Sequence, residues 1–308
     1  MEIILKCLKI SFAITLIQLV AIYLPYLLAN TEKRKTIKLL TPFRPLDFLF
    51  LSFFLFFIAL LASPFDNPLH IGKNTVITYF YNWVFAVIAS SYFFVIYPFL
   101  LKLQHKRFEI SVELQKRYTN TFNSTIPVYV TTQTFYNAFA SGFWPFNRII
   151  IIGKSISENL TKEEEFAILC HEQGHHKAND LFVFFGFVAC SVIFFLVGRD
   201  LFIHLMAGVF PKLDGGLVIG IFGSIHSLIF YCILFPKISH RAEFAADLYA
   251  AKYAGAANII SALHGLNTLT GGLLDKGSLT HPSLENRIEN IRKYYAWKKT
   301  DKESIQYI

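Results

Sequence analysis

The chain has 308 residues, of which 54% are hydrophobic and 33 are phenylalanine, and its mean hydropathy is +0.45. An ordinary water-soluble domain does not carry this much apolar surface, and the apolar residues are gathered into blocks, so the chain reads as an integral membrane protein. Its net charge of +8 marks loops facing anionic lipid in that setting, and no nucleic-acid partner is expected.

In chain order the blocks give five predicted spans: Ile10 to Ala29, Phe48 to Ala62, Val76 to Leu101, Leu181 to Val197 and Leu217 to Phe235. The second and fourth fall short of the ~20 residues a bilayer requires, which leaves tilted, interfacial or re-entrant arrangements open there. Aromatic residues crowd several span ends, as in Tyr79 to Trp83, where amphipathic rings sit at the headgroup level. The first span contains Pro25 and runs into Lys33, Arg34 and Lys35 with no small-residue cleavage pattern, so a retained anchor is expected rather than a signal peptide.

Loop charges orient the chain. The segment 30–46 carries Lys33, Arg34, Lys35, Lys38 and Arg44, whereas 63–75 carries only Lys73, so the former is cytoplasmic and the N-terminus lies outside. Counting onward, Lys102 to Asp180 is cytoplasmic, the linker around Pro211 to Asp214 is outside, and the chain from Lys237 is cytoplasmic. The expected organisation is a membrane region over 1–101, a catalytic segment over 102–180, two spans over 181–236 and a C-terminal segment over 237–308 that completes a site.

Within the catalytic segment, Ile126 to Val130 and Arg148 to Gly153 are short β-branched runs that read as strands of a small sheet, with Asn137 to Gly142 between them. Thr161-Lys-Glu-Glu164 is a capping box that opens a helix running to about Asn179. The acidic run Glu163 to Glu165 in its first turn complements the helix dipole and needs no metal to explain it.

That helix carries His171-Glu172-Gln173-Gly174-His175. Residues four apart share a helix face, so His171 and His175 can aim two imidazole nitrogens at one tetrahedral zinc ion, with Glu172 turned toward the open coordination position as a general base. Beyond the last two spans, Glu243 and Asp247 repeat the four-residue spacing, which lets the first ligate the metal and the second orient an imidazole through its free N–H. An even number of crossings between His175 and Glu243 puts all three ligands on one side. His176 lies off this face and is expected to be solvated, and His240, three residues before Glu243, could approach the metal or the substrate. Asp180 lies about 180° from His171 on an ideal helix and is expected to be at most a supporting residue. The four cysteines, Cys7, Cys170, Cys190 and Cys232, have no paired spacing and read as small hydrophobes, Cys170 pointing about 100° away from His171.

Asn137-Ala-Phe-Ala-Ser-Gly142, the isoleucine run, the capped motif helix, Arg241-x-Glu243-x-x-Ala-Asp247 and His281-Pro-Ser-Leu-Glu-Asn-Arg287 occur in that order over roughly 125–295. Together they resemble the HtpX-like and CAAX prenyl protease family of membrane zinc metallopeptidases. The resemblance implies a multi-span α-helical membrane protein with an α+β thermolysin-like (zincin) core, one Zn2+ per chain, and proteolysis of protein or peptide substrates. It assigns His281 to the substrate carbonyl or its oxyanion, Arg287 to bracing the site, and the strand of Asn137, Ala138, Phe139 and Ala140 to an extended peptide substrate.

The expected function is a zinc metalloendopeptidase of the bilayer, acting at the cytoplasmic face of a bacterial inner membrane, in membrane-protein quality control. The alternatives are a BlaR-type signalling metallopeptidase, which needs an external sensor domain, and a CAAX-type processing protease, whose seven-span chamber exceeds the five spans here. The charge asymmetry generates a prediction independent of family. In intact cells and a cysteine-free background, a membrane-impermeant thiol reagent should reach a cysteine introduced near Asn67 or Leu213, while positions near Lys35, Ser157 and Lys298 stay protected until the membrane is opened. Opposite accessibility of Ser157 and Lys298 would exclude a shared site.

Overall fold

The computed structural model describes residues 50–57, 91–102 and 108–305 continuously, with isolated helical residues between 4 and 20 and between 80 and 88. Most of the first predicted span, parts of the second and third, and the charged loops 30–46 and 63–75 therefore lie outside the described residues. The chain clusters into two compact units, one holding Tyr97–Phe182 with the chain from Phe235 onward, the other holding Val183–Leu234.

The first unit opens with helix α1 (Tyr97–Lys102) and is built on a four-stranded sheet in the order β1-β2-β4-β3. Strand β4 (Ile149–Ile152) is wholly buried, and a run of four isoleucines suits a central strand covered on both faces. It pairs in parallel with β2 (Val128–Thr131) and antiparallel with β3 (Ala138–Ser141), Ala138 opposite Ile152. Pro127 has no N–H for the ladder, so β2 starts after it while its carbonyl still accepts from Ile150 N at 3.1 Å. Strand β1 (Phe108–Ile110), antiparallel to β2, was not anticipated: three residues carry too little alternation to read, and the pairing itself makes the strand.

Helix α2 (Val112–Phe122), capped by Ser111, and helix α3 (Lys154–Asn159) flank the sheet. Helix α4 (Lys162–Ala178) carries the motif. Its capping box forms as expected: Glu164 N donates to Thr161 Oγ1 at 3.3 Å and Thr161 N donates to Glu164 Oε2 at 2.8 Å. The acidic first turn is used locally. Glu163 pairs with Arg117, Glu164 also accepts from Ser261, and buried Glu165 accepts from Ser157 and Lys162. Phe166 to Gly174 are buried all round, which makes α4 the central helix of this unit.

Helix α7 (Phe235–Ala254) packs on α4, and α8 (Ala256–Leu269) and α9 (Leu284–Ile305) complete the layer. On α7 the buried face alternates alanines with acids: Ala242, Glu243, Ala246, Asp247 and Ala250. The helices meet where both are smallest, since a Cβ added at Gly174 would stand 2.9 Å from Ala246 Cα. One core of aliphatic and aromatic side chains, including Val128, Ile150, Leu169, Leu263 and Ile288, joins the sheet to all four helices.

In the second unit, helix α5 (Asp180–Val209) has 30 residues. Helix α6 (Gly215–Ser227) passes through a π-helical stretch, Leu228–Leu234, into α7. Both helical runs are long and apolar enough to cross a membrane, and only 11% of either apolar window is buried in the protein, unlike the core helix of a soluble domain. The fourth predicted span covers only Leu181 to Val197, short of the charged pair Arg199 and Asp200. The helix instead continues past them, Arg199 Nε donating to Asp200 Oδ1 at 2.6 Å, and at ~1.5 Å per residue it reaches about 45 Å. A short turn closed by Asp214, whose carboxylate caps α6 at Leu217 N, reverses the chain. Within the pair, Ser191 Oγ donates to Tyr231 OH at 3.0 Å and His226 Nε2 lies 3.0 Å from Ser191 O.

The α4–α7 contact yields a prediction. Gly174→Ala gains up to ~1 kcal/mol of helix propensity but must push the helices apart, and overpacking of that kind costs about 1–3 kcal/mol. The midpoint of thermal unfolding in detergent should fall; a midpoint at or above wild type would contradict the close crossing.

Candidate metal centre

Three side chains from α4 and α7 converge in the interior. His171 Nε2 and His175 Nε2 are 3.2 Å apart, with ring planes at 87°. Glu243 Oε2 lies 3.6 Å from His171 Nε2 and Glu243 Oε1 lies 3.6 Å from His175 Nε2. One ligand atom from each falls within 4.8 Å of the others. Glu172, next on α4, is buried at 7% exposure.

Carboxylates fix both imidazoles. His171 Nδ1 donates to Asp247 Oδ1 at 2.9 Å and His175 Nδ1 donates to Asp180 Oδ2 at 2.8 Å, which turns both Nε2 atoms inward. The Asp180 contact departs from the ideal-helix expectation. Asn179 ends α4 in the left-handed region, φ 58°, so Asp180 starts a new helix and swings back toward His175. An asparagine at this point is the sequence signal that should have stopped the extrapolation.

Arg287, on α9, is buried at 6% exposure and grips Asp247 with a two-pronged fork, Nε to Oδ2 at 2.8 Å and Nη2 to Oδ1 at 2.6 Å. Its Nη1 lies 3.3 Å from Glu243 Oε2, an oxygen that accepts no hydrogen bond. Burial opposes the charge on Arg287, and Asp247 and Glu243 more than restore it. Burial likewise opposes ionisation of Glu243 and Asp247, yet the Arg287 guanidinium, together with His281 for Glu243, holds both below the usual carboxylate range. Burial pulls His175 down, but the hydrogen bond it donates to Asp180 and the charges of Glu243 and Glu172 carry it up to about 9. The cluster therefore attracts positive charge.

His281 sits on an exposed loop with Nδ1 3.0 Å from Glu243 Oε1. The loop is tied to the start of α7: Ser239 Oγ donates to Thr280 O at 2.7 Å and His240 Nε2 to Ser278 O at 2.9 Å. His240 thus braces the loop carrying His281. His176 is a correction: it is 2% exposed rather than solvated, and its Nε2 donates to Ile149 O at 3.0 Å, linking α4 to β4. Burial pushes it down to about 4, so it stays neutral. Gln173 accepts from Tyr118 OH at 2.6 Å. Cys170 is buried, and burial pushes its thiol up to about 12. Asn137, just before β3, and Ala138, Phe139 and Ala140 on it are half-buried, and β3 pairs only with β4 among the described residues; Asn137 Oδ1 accepts from Ala138 N at 2.9 Å.

Two histidines one helical turn apart and a glutamate from a second helix form a donor set that could hold a metal ion, with a carboxylate behind each imidazole. The profile of Peptidase family M48 matches residues 82–295, and the chain belongs to that family. It is therefore a membrane-associated metalloprotease, as its sequence motifs anticipated, in a family of zinc enzymes. It is 28% identical over 204 residues to a protease HtpX homolog of Neisseria meningitidis, covering 59% of this chain and 70% of that one. It is also 28% identical over 184 residues to protease HtpX homolog 2 of Methanosarcina acetivorans, covering 51% and 62%. The crystal structure of S. mikatae Ste24p shares the fold, with TM-score 0.55 and 17% identity over 76% of this chain and 66% of that one.

Arg287 can be tested without any metal. Arg287→Met leaves Glu243 and Asp247 buried beside one another and should cost about 3–5 kcal/mol, whereas Arg287→Lys keeps a charge but not the fork and should lose less. Unfolding midpoints of chelator-treated protein would rank wild type above lysine above methionine; three equal midpoints would refute the pairing.

Proposed function

We propose that His171, His175 and Glu243 hold one zinc ion and that Glu172 is the general base of an endopeptidase. The observation that carries this is the convergence of two carboxylate-locked imidazoles on Glu243, whose buried Oε2 accepts no hydrogen bond. Two inward ring nitrogens and a carboxylate favour a proton or a metal cation among them, and nitrogen and oxygen donors without a thiolate suit zinc. Zinc held there supplies Lewis acidity, polarising a carbonyl and acidifying water to a pKa of about 7.

Glu172 takes the proton of the attacking water and delivers it to the leaving amine. Asp247 and Asp180 keep the imidazoles in the tautomer that leaves Nε2 free, and Arg287 holds Asp247 and Glu243 in place. His281, exposed on its tethered loop, turns from Glu243 to the substrate carbonyl as negative charge develops on it. The peptide lies along Asn137, Ala138, Phe139 and Ala140 as an added strand, held by main-chain hydrogen bonds with little sequence preference.

The same reading extends to the whole chain: a thermolysin-like core on a multi-span membrane protein, divided at 1–101, 102–180, 181–236 and 237–308, with the centre on the cytoplasmic side of a bacterial inner membrane. Protein and peptide substrates and the bilayer are its partners, and clearance of membrane proteins is its role.

Glu172→Gln should retain zinc and lose roughly 10²–10⁴-fold of peptide hydrolysis, because proton transfer is removed and the ligands are not. Glu243→Ala should lose the metal under mild chelator challenge. Zinc content and casein turnover measured on the same preparations decide both: wild-type turnover in the first, or unchanged zinc in the second, would refute the assignment.

A further inference from the structure

The loop joining β3 to β4 is unused by the chemistry of the centre, yet it holds large rings outward. Trp144 and Phe146 are 48% and 66% exposed and stack with ring centroids 6.1 Å apart. On its inner side, Phe143 is buried and meets Phe182 at 5.7 Å, and Phe146 lies 6.1 Å from Phe99. Phe182 is the third residue of α5 and Phe99 the third of α1, and both are themselves well exposed. The exposed rings thus come from three chain segments, two of which are places where an apolar segment meets the first unit: α5 leaves it, and α1 closes the predicted span Val76 to Leu101.

The loop is also stiff. Gly142 takes φ +81°, and a Cβ there would stand 2.3 Å from Asn147 O. Asn147 N donates to Trp144 O at 3.0 Å, and Arg148 Nη2 bridges Phe143 O at 3.3 Å and Asn179 Oδ1 at 2.6 Å. A flexible loop could fold its rings away from water; this one is held open. Trp and Phe clustered at the ends of apolar helices are the signature of the lipid–water boundary, where a tryptophan keeps its N–H wet and its ring dry. We infer that the Phe143–Phe146 loop is an interfacial anchor that inserts Trp144 and Phe146 among the lipid headgroups and upper acyl chains, tethering the end of β3 to the bilayer surface.

The 308-residue chain has three tryptophans, so Trp83→Phe with Trp297→Phe leaves Trp144 as the sole emitter. In phosphatidylcholine vesicles its emission should be blue-shifted, and quenched more by bromines placed near the headgroup than by bromines near the chain end. Emission typical of water with no bromine quenching overturns the anchor. Blue-shifted emission that bromines do not touch overturns it as well, because protein, a second copy of this chain included, then covers the loop. Trp83 Nε1 donates to Ala189 O at 2.9 Å, so its replacement can disturb folding. A nitroxide on Phe146→Cys in the cysteine-free 308-residue chain supplies the second measurement: collision with oxygen should exceed collision with a water-soluble nickel complex, and the reverse overturns the inference. Neither readout needs turnover, so its failure leaves the peptidase proposal standing, and the failure of that proposal leaves the anchor standing.

Discussion

Where α4 and α7 cross, Gly174 and Ala246 leave no space for a larger side chain, and the centre is laid out from that point. On α4 the histidines stand three residues before Gly174 and one after it. On α7 Glu243 and Asp247 stand three before Ala246 and one after. Two helices that touch backbone to backbone at matched positions bring their neighbouring side chains face to face at hydrogen-bonding distance. The close approach is thus the condition for Glu243 meeting both imidazoles and for Asp247 reaching the back of His171. A wider crossing would keep every residue and lose the cluster.

The electrostatics of the interior follow. Glu172, Asp180, Glu243 and Asp247 outnumber the one guanidinium of Arg287 around the histidines, and each is nearly or fully buried. Removing such ions from water costs several kcal/mol apiece unless paired, and the Arg287 fork pairs only part of the set. The surplus of negative charge is relieved by a proton on His175 or by a cation at the three inward donors. Proton and metal compete for the same place, so affinity for either depends on Asp180 and Asp247, which touch the ligands only from behind.

Much of this was legible because the decisive signals are local. A capping box, a four-residue spacing of histidines, a second four-residue spacing of acids and an isoleucine run each announce themselves within a single turn or strand. What escaped depended on contacts between distant residues or on a break in regularity. Strand β1 exists by virtue of β2. The swing of Asp180 depends on one left-handed residue, Asn179, that an ideal helix does not contain. His176 looked solvated because its face of α4 could not be matched to β4 before the sheet was assembled. His240 looked like a neighbour of the metal in sequence and in fact holds the 278–281 turn.

Cys170 adds a consequence for redox chemistry. It stands directly before His171. Here the sulfur is packed in the core, and at a pKa near 12 it is almost wholly protonated at physiological pH, whereas the thiolate is the species that oxidants and metals attack. The thiol beside the first histidine is accordingly expected to resist alkylating reagents for as long as the core around it stays folded.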